Sequence, residues 1–177
     1  MRILSGKWGN RKIIFEKNAA THPMGEREKN AIFNMVGEVS GLFVLDWFAG
    51  SGQLGLECLS RGALKTVFVE KDKKNRANIK RNLAEFGGEA EMAEIVPTIT
   101  DIVVPSDGFD LIFADPPYDK FFEFDFSEVS DMLKEEGLFV LSSPGNEKIP
   151  GVPGTALIKS KTYAGARITI YRKYDII

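Results

Sequence analysis

Residues 42–55 of this 177-residue chain, LFVLDWFAGSGQLG, decide the expected fold. The four apolar residues at the start indicate a buried strand that stops at Asp46. A glycine-rich turn follows, and helical periodicity then runs from Gln53 to Ser60. A strand, a glycine turn and a helix in this order are typical of α/β domains in which helices connect parallel strands.

The same alternation extends in both directions from this stretch. The N-terminal residues predict a small hairpin followed by a helix at 26–36, and the C-terminal residues predict an antiparallel pair of strands. The pattern predicts further strands at 66–69, 90–96, 109–114, 137–141, 155–159 and 167–171, and helices at 73–86 and 124–133. The chain therefore reads as one α/β domain with a short N-terminal extension.

Composition narrows the class of protein. The single cysteine, Cys58, excludes an internal disulfide framework, and no apolar run is long enough to span a membrane. We therefore expect a cytoplasmic protein with no membrane partner. The sequence shows no metal cluster, and we expect a monomer. The net charge is only −2, but residues 85–136 contain fifteen acidic and two basic side chains, whereas residues 1–45 contain seven basic and four acidic ones. The neutral sum hides a polarised chain, so a nucleic-acid partner remains possible.

The glycine turn fits two kinds of cofactor. Residues 50–55, GSGQLG, match the dinucleotide fingerprint, and Glu70 follows twenty residues after Gly50 at the end of the next predicted strand, where a carboxylate can bind ribose hydroxyls. A pyrophosphate would be repelled by Asp46 at the end of the first strand. S-adenosylmethionine carries an ammonium and a sulfonium, which Asp46 would attract. Asp46 therefore favours S-adenosylmethionine over a dinucleotide.

A second motif, Asp115-Pro116-Pro117-Tyr118, follows the apolar strand at 109–114. An amine conjugated to a nucleobase is a poor nucleophile, and a carboxylate together with a proline carbonyl can accept its two hydrogens and direct its lone pair towards a methyl group. Proline contributes a carbonyl without a competing N–H. Tyr118 offers a flat face for an unstacked base.

These motifs resemble those of a known family. The glycine turn followed by Glu70 resembles the first two motifs of class I methyltransferases, and residues 115–118 resemble the fourth motif of amino-methyltransferases. The resemblance narrows to the bacterial 16S ribosomal RNA guanine-N2-methyltransferases, over nearly the whole chain. It is carried by the segments 1–12, 46–57, 59–63, 69–72 and 163–165, together with Pro23, Arg27 and Phe33-Asn34. That resemblance implies a Rossmann-like fold with a mostly parallel seven-stranded sheet and an antiparallel C-terminal strand. It divides the single domain into an RNA-contacting extension at 1–38 and a catalytic core at 39–177.

The resemblance also implies roles for individual residues. It implies direct methyl transfer from S-adenosylmethionine to the N2 amine of a guanine in 16S ribosomal RNA, within an assembling or assembled small ribosomal subunit. The expected catalytic residues are Asp115, Pro116, Pro117 and Tyr118, and the expected cofactor-binding residues are Asp46, Phe48, Gly50, Ser51, Gly52, Glu70 and Lys71. Basic residues with an aromatic neighbour suggest RNA contacts at Arg2, Lys7, Trp8, Arg11, Lys12, His22, Arg27 and Lys29.

Two other functions share most of these motifs. An adenine-N6 methyltransferase acting on RNA or DNA would have the same glycine turn and the same Asp115 turn, but not the N-terminal segment. An RNA-binding module that has lost catalysis would keep the fold. The intact turn at 115–118 argues against that module.

Overall fold

The computed structural model describes residues 1–15, 24–163 and 165–174. The chain forms two compact units, Met1–Ile102 and Val103–Ile177. In the described residues no helix is both long and apolar enough to cross a membrane.

The first unit contains three parallel strands in the order β3-β2-β1. Its helices and strands alternate as the apolar pattern predicts, and short 3-10 turns precede and follow β3. The elements are α1 (Glu26–Val36), β1 (Phe43–Trp47), α2 (Gln53–Ser60), β2 (Lys65–Val69), α3 (Lys73–Phe86) and β3 (Ala93–Val96). The three helices have the predicted bounds, whereas β1 continues through Asp46 and β3 begins three residues later than expected.

Helix α2 packs very closely on β2. A Cβ atom on Gly55 would lie 2.3 Å from Cε1 of Phe68 and 2.8 Å from Cγ2 of Thr66, so only glycine fits at this contact. The close approach fixes α2 over the sheet and thereby sets where the turn between β1 and α2 lies.

The N-terminal segment is held to this unit by one buried carboxylate, Glu57 on α2. Its Oε1 accepts hydrogen bonds from the Ser5 N–H and from Nε of Arg61, both at 2.9 Å. Its Oε2 accepts the Leu4 N–H at 2.7 Å and lies 3.1 Å from Nζ of Lys29 on α1. Glu57 and Lys29 are both fully buried. Burial lowers the pKa of Lys29, against the opposing effect of the Glu57 carboxylate.

The segment forms the predicted hairpin as a short antiparallel bridge between Arg2 and Lys12. The side-chain amide of Asn82 on α3 binds the backbone of Ile14, two residues after the bridge. Its Oδ1 accepts the N–H of Ile14 and its Nδ2 donates to the Ile14 carbonyl, both at 2.8 Å. The hairpin is thus fixed to two helices.

The second unit contains four strands in the order β4-β5-β7-β6. Strand β4 pairs in parallel with β5, and β7 runs antiparallel to both β5 and β6. The elements are β4 (Phe109–Ala114), α4 (Val129–Met132), β5 (Leu133–Pro144), β6 (Thr155–Tyr163) and β7 (Ala166–Lys173). Together the two units supply the seven strands expected, with an antiparallel arrangement at the C-terminus.

The helix predicted at 124–133 is wrong. A 3-10 helix occupies Tyr118–Glu123, and within the described residues 118–133 the α-helix is limited to α4. The carboxylate of Asp125 accepts the N–H of Ser127 at 2.9 Å, and this local bond replaces a helical one. Strand β5 then begins at Leu133, four residues earlier than predicted.

Loss of the Glu57 charge should destabilise the protein. In Glu57→Gln the buried ammonium of Lys29 loses its counter-charge, so we expect the free energy of unfolding to fall by about 3–5 kcal/mol. Urea denaturation followed by circular dichroism measures this. The control is Glu85→Gln, which removes the exposed pair with Arg81 and should change stability by less than about 1 kcal/mol. Equal effects would contradict the role assigned to Glu57.

Candidate active site

The turn between β1 and α2 passes through left-handed backbone three times. Phe48, Gly50 and Gly52 have φ values of 66°, 52° and 73°. A Cβ on Gly52 would lie 2.8 Å from Cγ1 of Ile79 on α3, whereas a Cβ on Gly50 would meet only the Phe48 carbonyl oxygen, at 3.9 Å. Gly52 therefore allows close packing, and Gly50 leaves the main chain open to a ligand.

Asp46, the penultimate residue of β1, binds the first turn of α2 through its side chain. The side chain is buried, and its Oδ2 accepts the N–H of Gly55 at 2.9 Å in the first turn of α2. The carboxylate therefore satisfies one of the N–H groups that a helix N-terminus leaves unpaired. It also places a negative charge beside the glycine turn, as the sequence predicts.

The Glu70 carboxylate, directly after β2, binds the backbone of two different chain segments. Its Oε2 accepts the N–H of Gly50 and its Oε1 accepts the N–H of Asp72, both at 2.7 Å. Each carboxylate oxygen keeps a second lone pair. The side chain is thus oriented by the main chain and retains the capacity to accept two hydroxyl donors, as the ribose prediction requires.

Sequence reasoning missed a residue that supports Glu70. Nη1 of Arg76 on α3 donates to the carbonyls of both Glu70 and Lys71 at 2.7 Å. This fixes the backbone that carries the carboxylate. The Lys71 side chain itself is exposed, and Ser51 is buried in the glycine turn with Oγ 3.4 Å from Sδ of Met1.

The second unit positions the Asp115 turn at the end of β4. Pro116 is buried, Pro117 is exposed and Tyr118 is 39% exposed. The carbonyl of Pro117 accepts the N–H of Lys120 at 3.1 Å, whereas no backbone bond between described residues uses the carbonyl of Pro116. The two prolines therefore differ: Pro117 starts the 3-10 helix and Pro116 presents an acceptor beside Asp115.

Asp115 has an unusual ionisation. Burial raises the pKa of its carboxyl to about 6, and a side-chain hydrogen bond with Ser142 opposes that shift. A carboxylate with a pKa near neutrality is typical of functional sites. Ser142, a buried residue on β5, is a second residue that sequence reasoning missed.

Five of the residues predicted to contact RNA have exposed side chains. Arg2, Lys7, Arg11, Lys12 and Arg27 are exposed. Three of them have contacts within the first unit: Arg2 pairs with Glu26 at 3.2 Å, Arg11 donates to the Glu85 carbonyl at 3.0 Å, and the Lys7 ammonium lies 4.8 Å from the Trp8 ring centroid.

Two of the RNA predictions are wrong and one is untested. Trp8 is only 3% exposed and packs on Phe86 with 5.5 Å between ring centroids, so its ring is not available to stack on a base. Lys29 is buried against Glu57 and belongs to the core. His22 lies outside the described residues.

The described part of the chain holds no group of three or more His, Cys, Asp or Glu side chains that could bind a metal ion. Cys58 is buried, and burial raises the pKa of its thiol well above the usual value.

Comparison with known proteins places these features in a family. The model of the family described as Conserved hypothetical protein 95 matches residues 1–172. The Ribosomal RNA small subunit methyltransferase D of Haemophilus influenzae is 31% identical, covering 99% of this chain and 93% of that protein. The Putative rRNA methyltransferase YlbH of Bacillus subtilis is 32% identical, with 98% and 99% covered. The solved structure of the putative methyltransferase yhhF from Escherichia coli superimposes with a TM-score of 0.81 at 27% identity, covering 98% of both chains.

The fold and the glycine turn define a class I methyltransferase, which confirms the predicted α/β architecture. Within that class, the chain belongs to the family of the small-subunit ribosomal RNA methyltransferases matched above. The family resemblance seen in the sequence is confirmed, and the methyl donor of class I methyltransferases is S-adenosylmethionine.

The first unit fits this cofactor on structural grounds. The open main chain at Gly50 suits a ligand that lies against the backbone, the Glu70 carboxylate suits a ribose, and Asp46 suits a cationic group. We propose that these three residues hold it, with Phe48, Ser51, Gly52 and Lys71 lining the same turn and strand end.

Substitution of Glu70 should weaken cofactor binding. Glu70→Ala removes the acceptor for two ribose hydroxyls and the bond that holds Gly50, and we expect the dissociation constant for S-adenosylmethionine to rise by about 10- to 100-fold, the loss of one or two charge-assisted hydrogen bonds. Isothermal titration calorimetry measures the change. Glu89→Ala, at an exposed position, is the matched control. An unchanged affinity in Glu70→Ala would refute the assignment.

Proposed function

We propose that the protein methylates the exocyclic N2 amine of one guanine in 16S ribosomal RNA, with S-adenosylmethionine as the methyl donor. Family membership supports methylation of ribosomal RNA, because the matched relatives carry that name. The observation that supports an amine as the acceptor is the Asp115 turn, where a carboxylate occurs together with a proline carbonyl that accepts no backbone bond from the described residues.

The turn has the groups that this reaction needs. When bound, the cofactor supplies an electrophilic methyl group on a sulfonium, so the remaining requirement is to orient the amine. The Asp115 carboxylate and the Pro116 carbonyl accept the two amine hydrogens, which directs the nitrogen lone pair away from the turn. Orientation of this kind contributes a large share of the rate in a reaction with a reactive donor.

Tyr118 would hold the base. Its ring is partly exposed at the start of the 3-10 helix, and its hydroxyl is bound to Ser142 at 2.7 Å. A partly exposed ring that is held at its hydroxyl end suits stacking with an unpaired base. Guanine must leave its own stack to reach such a site, as in other enzymes that modify bases.

The exposed basic residues of the first unit would bind the RNA backbone. Arg2, Lys7, Arg11, Lys12 and Arg27 all belong to the extension at 1–38, which Glu57 and Asn82 hold in place. Because residues 1–15 of this extension are held in place before RNA arrives, less ordering entropy opposes their binding. We also propose that the protein acts in the cytoplasm, as a monomer, on an assembling or assembled small subunit.

The identity of the modified base tests the proposal directly. We expect mass mapping of 16S RNA nucleosides to show one N2-methylguanosine that is absent from cells lacking the gene and is restored by the purified protein. Methylation of adenine N6 instead would support the alternative enzyme. Binding of RNA and cofactor with no methylation would support the non-catalytic module.

The Asp115 carboxylate should control turnover rather than cofactor binding. In Asp115→Ala we expect the methylation rate to fall by at least about 100-fold, since positioning is lost, with unchanged S-adenosylmethionine affinity by calorimetry. Asp119→Ala, an exposed acid four residues later, should retain the wild-type rate. A wild-type rate in Asp115→Ala would show that the acceptor site lies elsewhere.

Salt should reveal how many phosphates the extension contacts. The double variant Arg11→Gln and Lys12→Gln should reduce the slope of log affinity against log salt concentration by roughly 1.5, the value for two phosphate contacts. Filter binding at several salt concentrations measures the slope. The control is Lys159→Gln at an exposed position of β6. If the double variant and the control give the same slope, the phosphate contacts are made by residues outside the extension.

A further inference from the structure

Ser142 is a buried polar residue in the acceptor half of the site to which the family resemblance gives no role. It lies near the end of β5, is 2% exposed, and its Oγ is 2.7 Å from the Tyr118 hydroxyl. A buried hydroxyl is costly unless it has partners, so its contacts account for its presence in the core.

The pairing of β4 with β5 explains why Ser142 reaches the Asp115 turn. In this parallel register Phe113 is opposite Val140 and Ala114 is opposite Leu141. One further step along both strands brings Asp115 beside Ser142. The Ser142 hydroxyl is thereby a neighbour of the Asp115 carboxyl, and as a hydrogen-bond donor it lowers the pKa of that carboxyl.

The proton count of a serine fixes the direction of these bonds. A hydroxyl has one hydrogen to donate and two lone pairs to accept with. An ionised carboxylate can only accept, so the Ser142 hydrogen goes to Asp115. The Tyr118 O–H must therefore donate to Ser142 Oγ, and the bonds run in one direction, from Tyr118 to Ser142 to Asp115.

We propose that Ser142 is a positioning residue that locks the base-stacking ring of Tyr118 and the amine-binding carboxylate of Asp115 into one fixed arrangement. This inference rests on the proposed function of the turn. Without Ser142, the carboxylate can rotate about its side-chain bonds and the tyrosine ring loses the anchor at its hydroxyl end. Catalysis by orientation is sensitive to such freedom, since a displacement of about 1 Å can cost about 100-fold in rate.

The same hydroxyl also affects the ionisation of Asp115. The only effects on its pKa from the described residues are burial, which raises it, and Ser142, which lowers it; no charged side chain contributes. Tyr118, the other titratable group bonded to Ser142, faces it from the 3-10 helix. Loss of the hydroxyl leaves burial unopposed, so the pKa of Asp115 should rise. The ionised carboxylate is the stronger acceptor for an amine hydrogen. As the pH is lowered, activity should therefore be lost at a higher pH than in the wild type.

The test compares Ser142→Ala with a matched variant, Ser143→Ala. Ser143 is the next residue of β5, equally buried, and alternation places its side chain on the opposite face of the strand. We expect Ser142→Ala to lose about 10- to 100-fold in kcat, with the acid limb of the pH–rate profile moved to higher pH and S-adenosylmethionine affinity unchanged. Ser143→Ala should keep the wild-type acid limb, and Ser142→Thr, which restores a hydroxyl, should recover most of the rate.

A second measurement is independent of activity. Titration of the Asp115 carboxyl carbon by NMR in the free protein should show a higher pKa in Ser142→Ala than in wild type, and Tyr118→Phe should show a smaller change because the Ser142–Asp115 bond remains. If the NMR titration of Ser142→Ala matches wild type, the proposal is overturned whether or not the variant is active.

The outcomes separate this proposal from the proposed function. Wild-type methylation of guanine N2 together with an unaltered rate and pH profile in Ser142→Ala would overturn the role of Ser142 alone. Failure of wild-type protein to methylate RNA would overturn the function, while the NMR titration would still decide whether Ser142 controls Asp115.

Discussion

The arrangement of the first unit depends on the buried charge of Glu57. Four donors converge on this carboxylate, from the backbone of residues 4 and 5, from Lys29 and from Arg61. An ionised group is stable in the protein interior only with such complete compensation. Its partners must therefore be present together, which ties the N-terminal hairpin, α1 and α2 to one another. The surface that we propose for RNA and the helix that follows the glycine turn consequently share one anchor.

Much of the fold could be predicted from apolar periodicity together with the residues that end helices. Helices α1, α2 and α3 begin and end where the sequence indicates, because glycines and an Asp72 cap mark their ends. The region after Tyr118 could not be predicted, since the repeated phenylalanines look helical while the Asp125 side chain stabilises a turn. Local side-chain bonds of this kind leave no periodic signal.

The sequence predicted the residues expected to contact the cofactor and substrate, but not the residues that hold them in position. Asp46, Glu70 and Asp115 stand at strand ends, where parallel sheets bind ligands. Arg76 and Ser142 were missed because their roles arise from contacts with backbone carbonyls or across paired strands, which no spacing along one segment reveals. Trp8 was misassigned for a related reason: an aromatic residue among basic ones has the same local pattern whether it packs inwards or faces solvent.

The residues proposed for the methyl donor and those proposed for the acceptor lie in two consecutive stretches of the chain. The glycine turn and Glu70 belong to Met1–Ile102, whereas the Asp115 turn and Ser142 belong to Val103–Ile177. Substitutions in the later stretch can therefore alter the residues proposed for the acceptor without changing those proposed for the donor. In evolution, such a division lets a lineage of enzymes change its target while keeping its cofactor.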